Sequence, residues 1–197
     1  LHNAVWSHIT APTEMLVVPS GHRQYRVPTA TVQQAVDGIV ERGVRYGAGQ
    51  AMLPQRLAHQ VLLRMEVAGE TTDDRPQNAV ARSSVVKQLA KTLWPPLTAS
   101  KLVHQLLSDP AFLTAAAQGV LTEAEQALLI GPKPPRSPGS RRWTLADLVL
   151  VDEVDDLLNR RSSLGHVIID EAQDLSAMML RAAGRRATTG SVTLLGD

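Results

Sequence analysis

Apolar residues recur at steps of three and four along most of the first two thirds of the chain, which is the period of helices that bury one face. This pattern predicts a helix from Thr29 that ends near the glycines Gly43, Gly47 and Gly49. Further helices are predicted over Leu53–Val67, Ser84–Leu93, Thr98–Leu107, Pro110–Val120 and Thr122–Leu129. Two short β-prone runs beside Pro19-Ser20-Gly21 predict a small peripheral hairpin, and the polar run 69–78 predicts a loop.

A proline- and glycine-rich run, GPKPPRSPGSRR, separates this helical region from the rest of the chain. Its composition cannot bury a core and is typical of a loop or linker. We therefore expect a helical region over residues 1–131, a linker over residues 132–142 and a second region over residues 143–197. Because the chain starts at Leu1 within a helical pattern and stops at Asp197 after a strand-like run, we expect it to be an internal piece of a longer protein.

Two stretches of the second region share an apolar run followed by Asp-Glu: LVLVDEVDD, residues 148–156, and GHVIIDEAQDLS, residues 165–176. In the first, the apolar residues keep helical steps after Thr144, a good N-cap. Its acidic residues, which include Asp152 and Glu153, are therefore predicted to lie on a solvated helix face. The second run is short, β-branched and preceded by Gly165, which predicts a strand.

An amphipathic run from Ser176 to Arg186 and a second β-prone run, SVTLLGD, follow the HVIID strand. Strand, helix and strand in this order predict a βαβ unit with parallel strands. Ligands of such sheets bind outside the carboxyl ends of the strands. Asp170, Glu171 and Asp197 are all predicted to lie at those ends.

A parallel strand that ends in Asp-Glu suits the binding of Mg²⁺ and a nucleotide. The first carboxylate can hold the metal, usually through water, and the second can orient or deprotonate the attacking water. Gln173 and Asp174 extend this polar edge, and Gly196-Asp197 end the second strand beside it. The chain has no glycine-rich phosphate loop with Lys and Ser/Thr, so we expect that it neither binds ATP tightly nor hydrolyses it alone.

Composition narrows the possible partners. The formal net charge of +1 gives no general attraction to nucleic acid or to an anionic membrane. The absence of cysteine excludes disulfides and thiolate metal sites and favours a cytoplasmic location. No ligand spacing among the histidines indicates zinc, and no segment is long and apolar enough to span a bilayer. His166, just before the strand, is expected to be structural.

Arginines and aromatic residues do not indicate a nucleic-acid surface. The arginine pairs are Arg141-Arg142, Arg160-Arg161 and Arg185-Arg186, and they are predicted to be solvated helix ends, since no Tyr or Phe is interleaved with them. Trp6, Trp94 and Trp143 are predicted to be packing anchors. With aromatic residues at 3%, the chain does not look like a single-strand binding module.

The run VIIDEAQDLS followed by VTLLGD resembles motif II and the start of motif III of superfamily 1 helicases of the UvrD and Rep type. With WTLADLVLVDEVDDLL before it, the run from residue 165 to the end more closely resembles the HelD and HelR proteins, which are bacterial RNA polymerase-associated relatives of those helicases. The likeness is strong from Trp143 onward. It is looser before that point, where the helices resemble the segment that HelD-type proteins insert into their first motor domain.

The resemblance implies a mainly α chain with a small parallel β piece. Residues 1–131 would form a helical, partner-binding insertion, and residues 143–197 would form part of a RecA-like P-loop NTPase domain. Asp170 would be the Mg²⁺-associated acid and Glu171 the catalytic base, with both near the metal. Gln173 and Asp174 would couple the nucleotide state to the motor, and Gly196 and Asp197 would belong to motif III.

The implied activity is that of an ATP-dependent, helicase-like motor that binds RNA polymerase and releases stalled complexes. ATP and Mg²⁺ would be its cofactors in the full-length protein. The loop NRRSSLG is too short to transfer the channel-probing role of some HelD proteins. Two alternatives stay open: a repair helicase that unwinds duplex DNA, and a helical adaptor without enzymatic activity. The intact DEAQD favours a motor, and the near-neutral charge favours a protein partner over DNA.

Overall fold

A computed structural model describes residues 1–70, 74–131, 133–159, 161, 163–187 and 189–197, and of residues 74–76 it describes the backbone alone. The described part is mainly helical, with two small two-stranded sheets. It forms two compact units, residues 6–96 and residues 97–197 together with 1–5. The elements are α1 His2–Trp6, β1 Leu16–Ser20, β2 Arg23–Val27, α2 Thr29–Val40, α3 Tyr46–Val67, α4 Asp74–Arg82, α5 Ser84–Leu93, α6 Ala99–Leu106, α7 Pro110–Ala117, α8 Glu123–Leu129, α9 Leu145–Leu158, β3 Val167–Ile169, α10 Ala177–Gly184 and β4 Val192–Leu194.

In the unit of residues 6–96, the predicted hairpin forms, but it is not peripheral. β1 and β2 pair antiparallel around a turn in which Gly21 has a positive φ of 58°. Leu16, Val18, Tyr25 and Val27 are buried, and the strands pack against α3 and α5. Every second side chain of the hairpin therefore faces the core. The prediction of a peripheral hairpin is wrong, because strands this short did not show which face is buried.

Helix α3 begins earlier than the sequence pattern predicts. Gly47 and Gly49 lie in its first turns and do not mark the exit from α2, whereas Gly43, with a φ of 61°, does follow that helix. The packing of Trp94 explains why a glycine occurs within this helix. The Trp94 side chain is buried against Tyr46, with ring centroids 5.5 Å apart. A β-carbon on Gly49 would overlap the Trp94 ring, so glycine is used here for close approach.

The predicted loop over residues 69–78 is partly wrong, because α4 begins at Asp74. Residues 71–73 of that prediction lie outside the described residues. Helix α4 packs against α3 and α5, and the side-chain amide of Gln55 donates to Asn78, 3.1 Å away. Tertiary packing thus makes a helix of a polar segment whose intrinsic propensity is low.

In the unit that holds residues 97–197, side chains cap three of the helices, and the N-cap predicted at Thr144 is confirmed. Thr122 and Glu125 form a capping box at α8, Thr144 and Asp147 form one at α9, and Asp109 caps α7 ahead of Pro110. Helix α6 packs against α7 and α9. The described residues of the proline-rich run lie inside this unit, since the division between units falls at residue 96. The extent of the helical insertion, residues 1–131, stays a prediction.

Candidate functional site

The two short strands of the second unit are parallel, as predicted, and they carry the candidate site at one end. β3 pairs with β4 in the register Val167 to Val192 and Ile169 to Leu194. Beyond the strands, Leu195 N–H donates to the Ile169 carbonyl and Ala172 N–H donates to the Leu195 carbonyl, both at 2.8 Å. The residues that follow both strands are therefore joined at the carboxyl edge.

Glu171 has an unusual backbone at this edge. Its φ of 51° and ψ of 43° are left-handed, and it is the single residue other than glycine with a positive φ in the described part of the chain. Such a conformation costs about 1–2 kcal/mol for a side chain like glutamate. Strain of this kind occurs most often at functional sites. The Asp170 carboxylate supports the turn, because its Oδ1 accepts the Glu171 N–H at 3.0 Å.

Gln173 connects the carboxylate of Glu171 to the end of the second strand. Its Nε2 donates to Glu171 Oε2 at 2.6 Å. Its Oε1 lies so close to Gly196 that a β-carbon there would overlap it. The structure therefore brings Asp170, Glu171, Gln173 and Gly196 together.

Asp174 and Asp197 take less part in this arrangement. Asp174 donates its backbone N–H to the Glu171 carbonyl at 3.0 Å, but its carboxylate and that of Asp197 are exposed and bond to neither Asp170 nor Glu171. Their assigned roles in coupling and in motif III stay predictions.

The exposed carboxylates of Asp170 and Glu171 fit part of a Mg²⁺–nucleotide site. Mg²⁺ in such sites takes one or two protein carboxylates and fills its octahedron with water and phosphate oxygens. Asp170 Oδ2 accepts no hydrogen bond within the described residues and can face a hydrated ion. Those residues contain no group of three acids or histidines that could cage a metal by themselves, and the sequence supplies no phosphate loop.

The look-alike acids on α9 are not on a solvated face, so that prediction is wrong for two of them. Glu153 is buried and bonds through both carboxylate oxygens to Arg181 and through Oε2 to Arg185. Asp152 pairs with Arg185 and Arg186. We call these five residues the α9–α10 ion cluster. Tertiary packing of α10 on α9 brings the charges together, which a helical repeat alone cannot show.

The prediction that the arginine pairs are solvated helix ends is therefore also wrong for Arg185 and Arg186. Arg161 pairs with Asp155, and its hydrogen bond holds the pKa of that carboxyl below its usual range. Arg141 donates to the Leu107 carbonyl at 3.2 Å and lies 5.6 Å from the centre of the Trp143 ring. Arg160 lies outside the described residues.

His166 joins the two strands at the opposite end from the carboxylates. Its Nδ1 lies 2.7 Å from Ser191 Oγ and its Nε2 lies 3.0 Å from Thr193 Oγ1. Both ring nitrogens are thus engaged with hydroxyls of the neighbouring segment, which agrees with the structural role expected of this residue.

Comparison with known proteins adds no assignment to this geometry. No known family model matches the chain, and no curated protein is similar to it. Within the described residues, no helix combines the length and the apolar character that crossing a membrane requires.

Proposed function

We propose that Asp170 and Glu171 form the metal and water-activating edge of an ATP-hydrolysing site in a superfamily 1 helicase-like motor. The observation that carries the proposal is the left-handed turn of Glu171 at the carboxyl end of a parallel strand, supported by Asp170 and Gln173. In parallel α/β sheets this edge is where nucleotide ligands bind. Residues 143–197 would then be part of a RecA-like domain.

Each residue of the edge would have a separate task. Asp170 would hold the hydrated Mg²⁺, which neutralises charge on the phosphates when it is bound. Glu171 would orient the attacking water and accept its proton. Gln173, through its hydrogen bond to Glu171 Oε2, would fix the direction in which that carboxylate points. The phosphate-binding loop would come from a part of the motor that this sequence does not contain.

We further propose that the motor acts in the cytoplasm on RNA polymerase, releasing stalled complexes, and that residues 1–131 provide the contact. The near-neutral charge and the low aromatic content support a protein partner over duplex DNA. Co-purification of the 197-residue chain with RNA polymerase, in competition with duplex DNA, tests this choice. Preference for DNA would favour the repair-helicase alternative.

The catalytic role is tested by Glu171→Gln in the full-length gene product. We expect ATP turnover to fall by about 10²–10⁴-fold, the usual contribution of a general base, while ATP binding is retained. Glu123→Gln, an exposed acid in the first turn of α8, is the matched control and should leave turnover unchanged. Undiminished turnover in Glu171→Gln would remove this residue from the mechanism, whereas the absence of ATP turnover in the wild-type protein would favour the adaptor alternative.

Two single variants and their double variant test whether Gln173 positions Glu171. Gly196→Ala should displace the Gln173 amide and lower turnover, because the added β-carbon overlaps Oε1. The double variant Gly196→Ala/Gln173→Ala should be no worse than Gln173→Ala alone. Additive losses would mean that Gly196 acts by another route.

A further inference from the structure

A polar groove lies between α2 and α3, in the unit of residues 6–96, far along the sequence from the candidate site. Its volume is about 220 Å³. The polar side chains that line it are Thr31 and Gln34 from α2, Arg42 from the turn that follows α2, and Arg56 and Gln60 from α3. Thr31 and Gln34 are three residues apart and lie on one face of α2, beside the buried stripe that contains Val32, Val36 and Ile39.

Among the residues that the structure describes, the groove carries two positive charges and no negative one. No acidic residue lines it, and neither Arg42 nor Arg56 makes an ion pair within the described part of the chain. Of the two acids on or beside α2, Asp37 accepts a hydrogen bond from Gln33 at 2.7 Å, and Glu41 is exposed outside the groove. Arg56 is half-buried, which leaves its charge less screened than that of a fully exposed arginine.

The side chains of the groove are chiefly hydrogen-bond donors. Two guanidinium groups, two side-chain amides and one hydroxyl are present, and none of them forms a side-chain hydrogen bond within the described residues. Guanidinium groups match the oxygens of phosphate in a forked geometry that a single ammonium does not offer. The donor set therefore suits a tetrahedral oxyanion.

The size of the groove limits the ligand further. A volume of about 220 Å³ is below the roughly 300 Å³ at which pockets begin to enclose a drug-sized molecule. Gly38, which also lines the groove, leaves space in it, because an added β-carbon at this position would meet nothing within 4 Å. The groove can therefore take one phosphate group, with the rest of its carrier outside.

We propose that the α2–α3 groove binds a phosphate group, held by Arg42 and Arg56. The phosphate is either free or part of a nucleic-acid backbone. The proposal is independent of the ATPase assignment, because it uses no residue of the strand edge.

Titration of the 197-residue chain with three probes, followed by amide and arginine side-chain NMR signals, tests the proposal. The probes are inorganic phosphate, pyrophosphate and a single-stranded oligonucleotide. We expect the signals of α2 and α3 at the groove to shift. Tighter binding of the oligonucleotide would identify a backbone phosphodiester, and tighter binding of pyrophosphate would identify a free phosphate.

Three variants separate a built groove from general electrostatic attraction. Arg42→Gln/Arg56→Gln should weaken binding by about tenfold or more, the effect of losing a charged hydrogen bond. Arg64→Gln, which removes the same charge from an exposed position of α3, should not weaken it. Gly38→Leu should weaken binding without changing the net charge, because the new side chain fills this space.

Three results would overturn the proposal. The first is the absence of any shift with all three probes. The second is an equal loss of binding in Arg64→Gln and in the groove variants. The third is binding of a poly-glutamate peptide without binding of any phosphate, which would assign the groove to acidic peptides instead.

Discussion

The α9–α10 ion cluster leads to a quantitative prediction for Glu153. Its side chain is 10% exposed and that of its partner Arg185 is 15% exposed, so the pair is nearly buried. Removing one member of a buried pair leaves the other charge desolvated and typically costs about 3–5 kcal/mol. In a Glu153 variant, Arg185 would still pair with Asp152, so part of its charge would remain compensated. We therefore expect Glu153→Ala to lower the free energy of unfolding by about 2–3 kcal/mol.

The two arginine partners of Glu153 should contribute unequally. Arg181 is 67% exposed, so its ion pair with Glu153 is screened by water. Arg181→Ala should therefore lower the free energy of unfolding by less than about 1 kcal/mol. Arg185→Ala should cost clearly more, because Arg185 is 15% exposed and pairs with both carboxylates, which would keep only the more exposed Arg181 and Arg186 as partners. The double variant Glu153→Ala/Arg185→Ala should cost less than the sum of the two single changes.

Urea unfolding of the 197-residue chain measures these differences, since urea, unlike guanidinium chloride, does not screen ion pairs. Hydrogen exchange of peptides from α9 and α10 shows whether the loss is local. Asp155→Ala is the control on the same helix, because its partner Arg161 is 54% exposed and the expected cost is below about 1 kcal/mol. If Glu153→Ala proves no more costly than Asp155→Ala, the assignment of a buried, stabilising pair is wrong.

Two further variants test packing and pH dependence. In urea unfolding, Gly49→Ala should destabilise the protein by about 1–3 kcal/mol, because the added β-carbon overlaps buried Trp94. Gly38→Ala should stabilise it by about 0.5–1 kcal/mol, because the space around this position is open. Effects of the same sign would contradict the packing argument. Burial and the nearby charge of Arg141 lower the pKa of His104. As pH falls through about 6.5, the unfolded chain therefore binds a proton at His104 before the folded chain does, and the free energy of unfolding should decrease. The decrease should be smaller in His104→Asn than in the wild type. Parallel pH profiles of the two proteins would refute this.

The features that the sequence predicted correctly depend on interactions between residues that are close along the chain. The helices with regular apolar steps and explicit caps, such as the one that follows Thr144, form as predicted, because a capping side chain acts on its own helix. The strand–helix–strand order was also readable, since β-branched runs and helical stripes differ in period. So was the meeting of Glu171 with the end of the second strand, because parallel pairing brings carboxyl ends to one edge.

The sequence by itself determined most of the helical elements, the parallel strand pair and the position of the Asp170–Glu171 edge, because each depends on spacing along the chain. Tertiary structure decided the features that depend on distant neighbours. Trp94 requires glycine at position 49 within a helix, and packing of α10 on α9 turns Glu153 from an apparent surface acid into a buried ion-pair partner. A periodic pattern records which face a residue occupies, but only the fold shows which charge lies opposite that face.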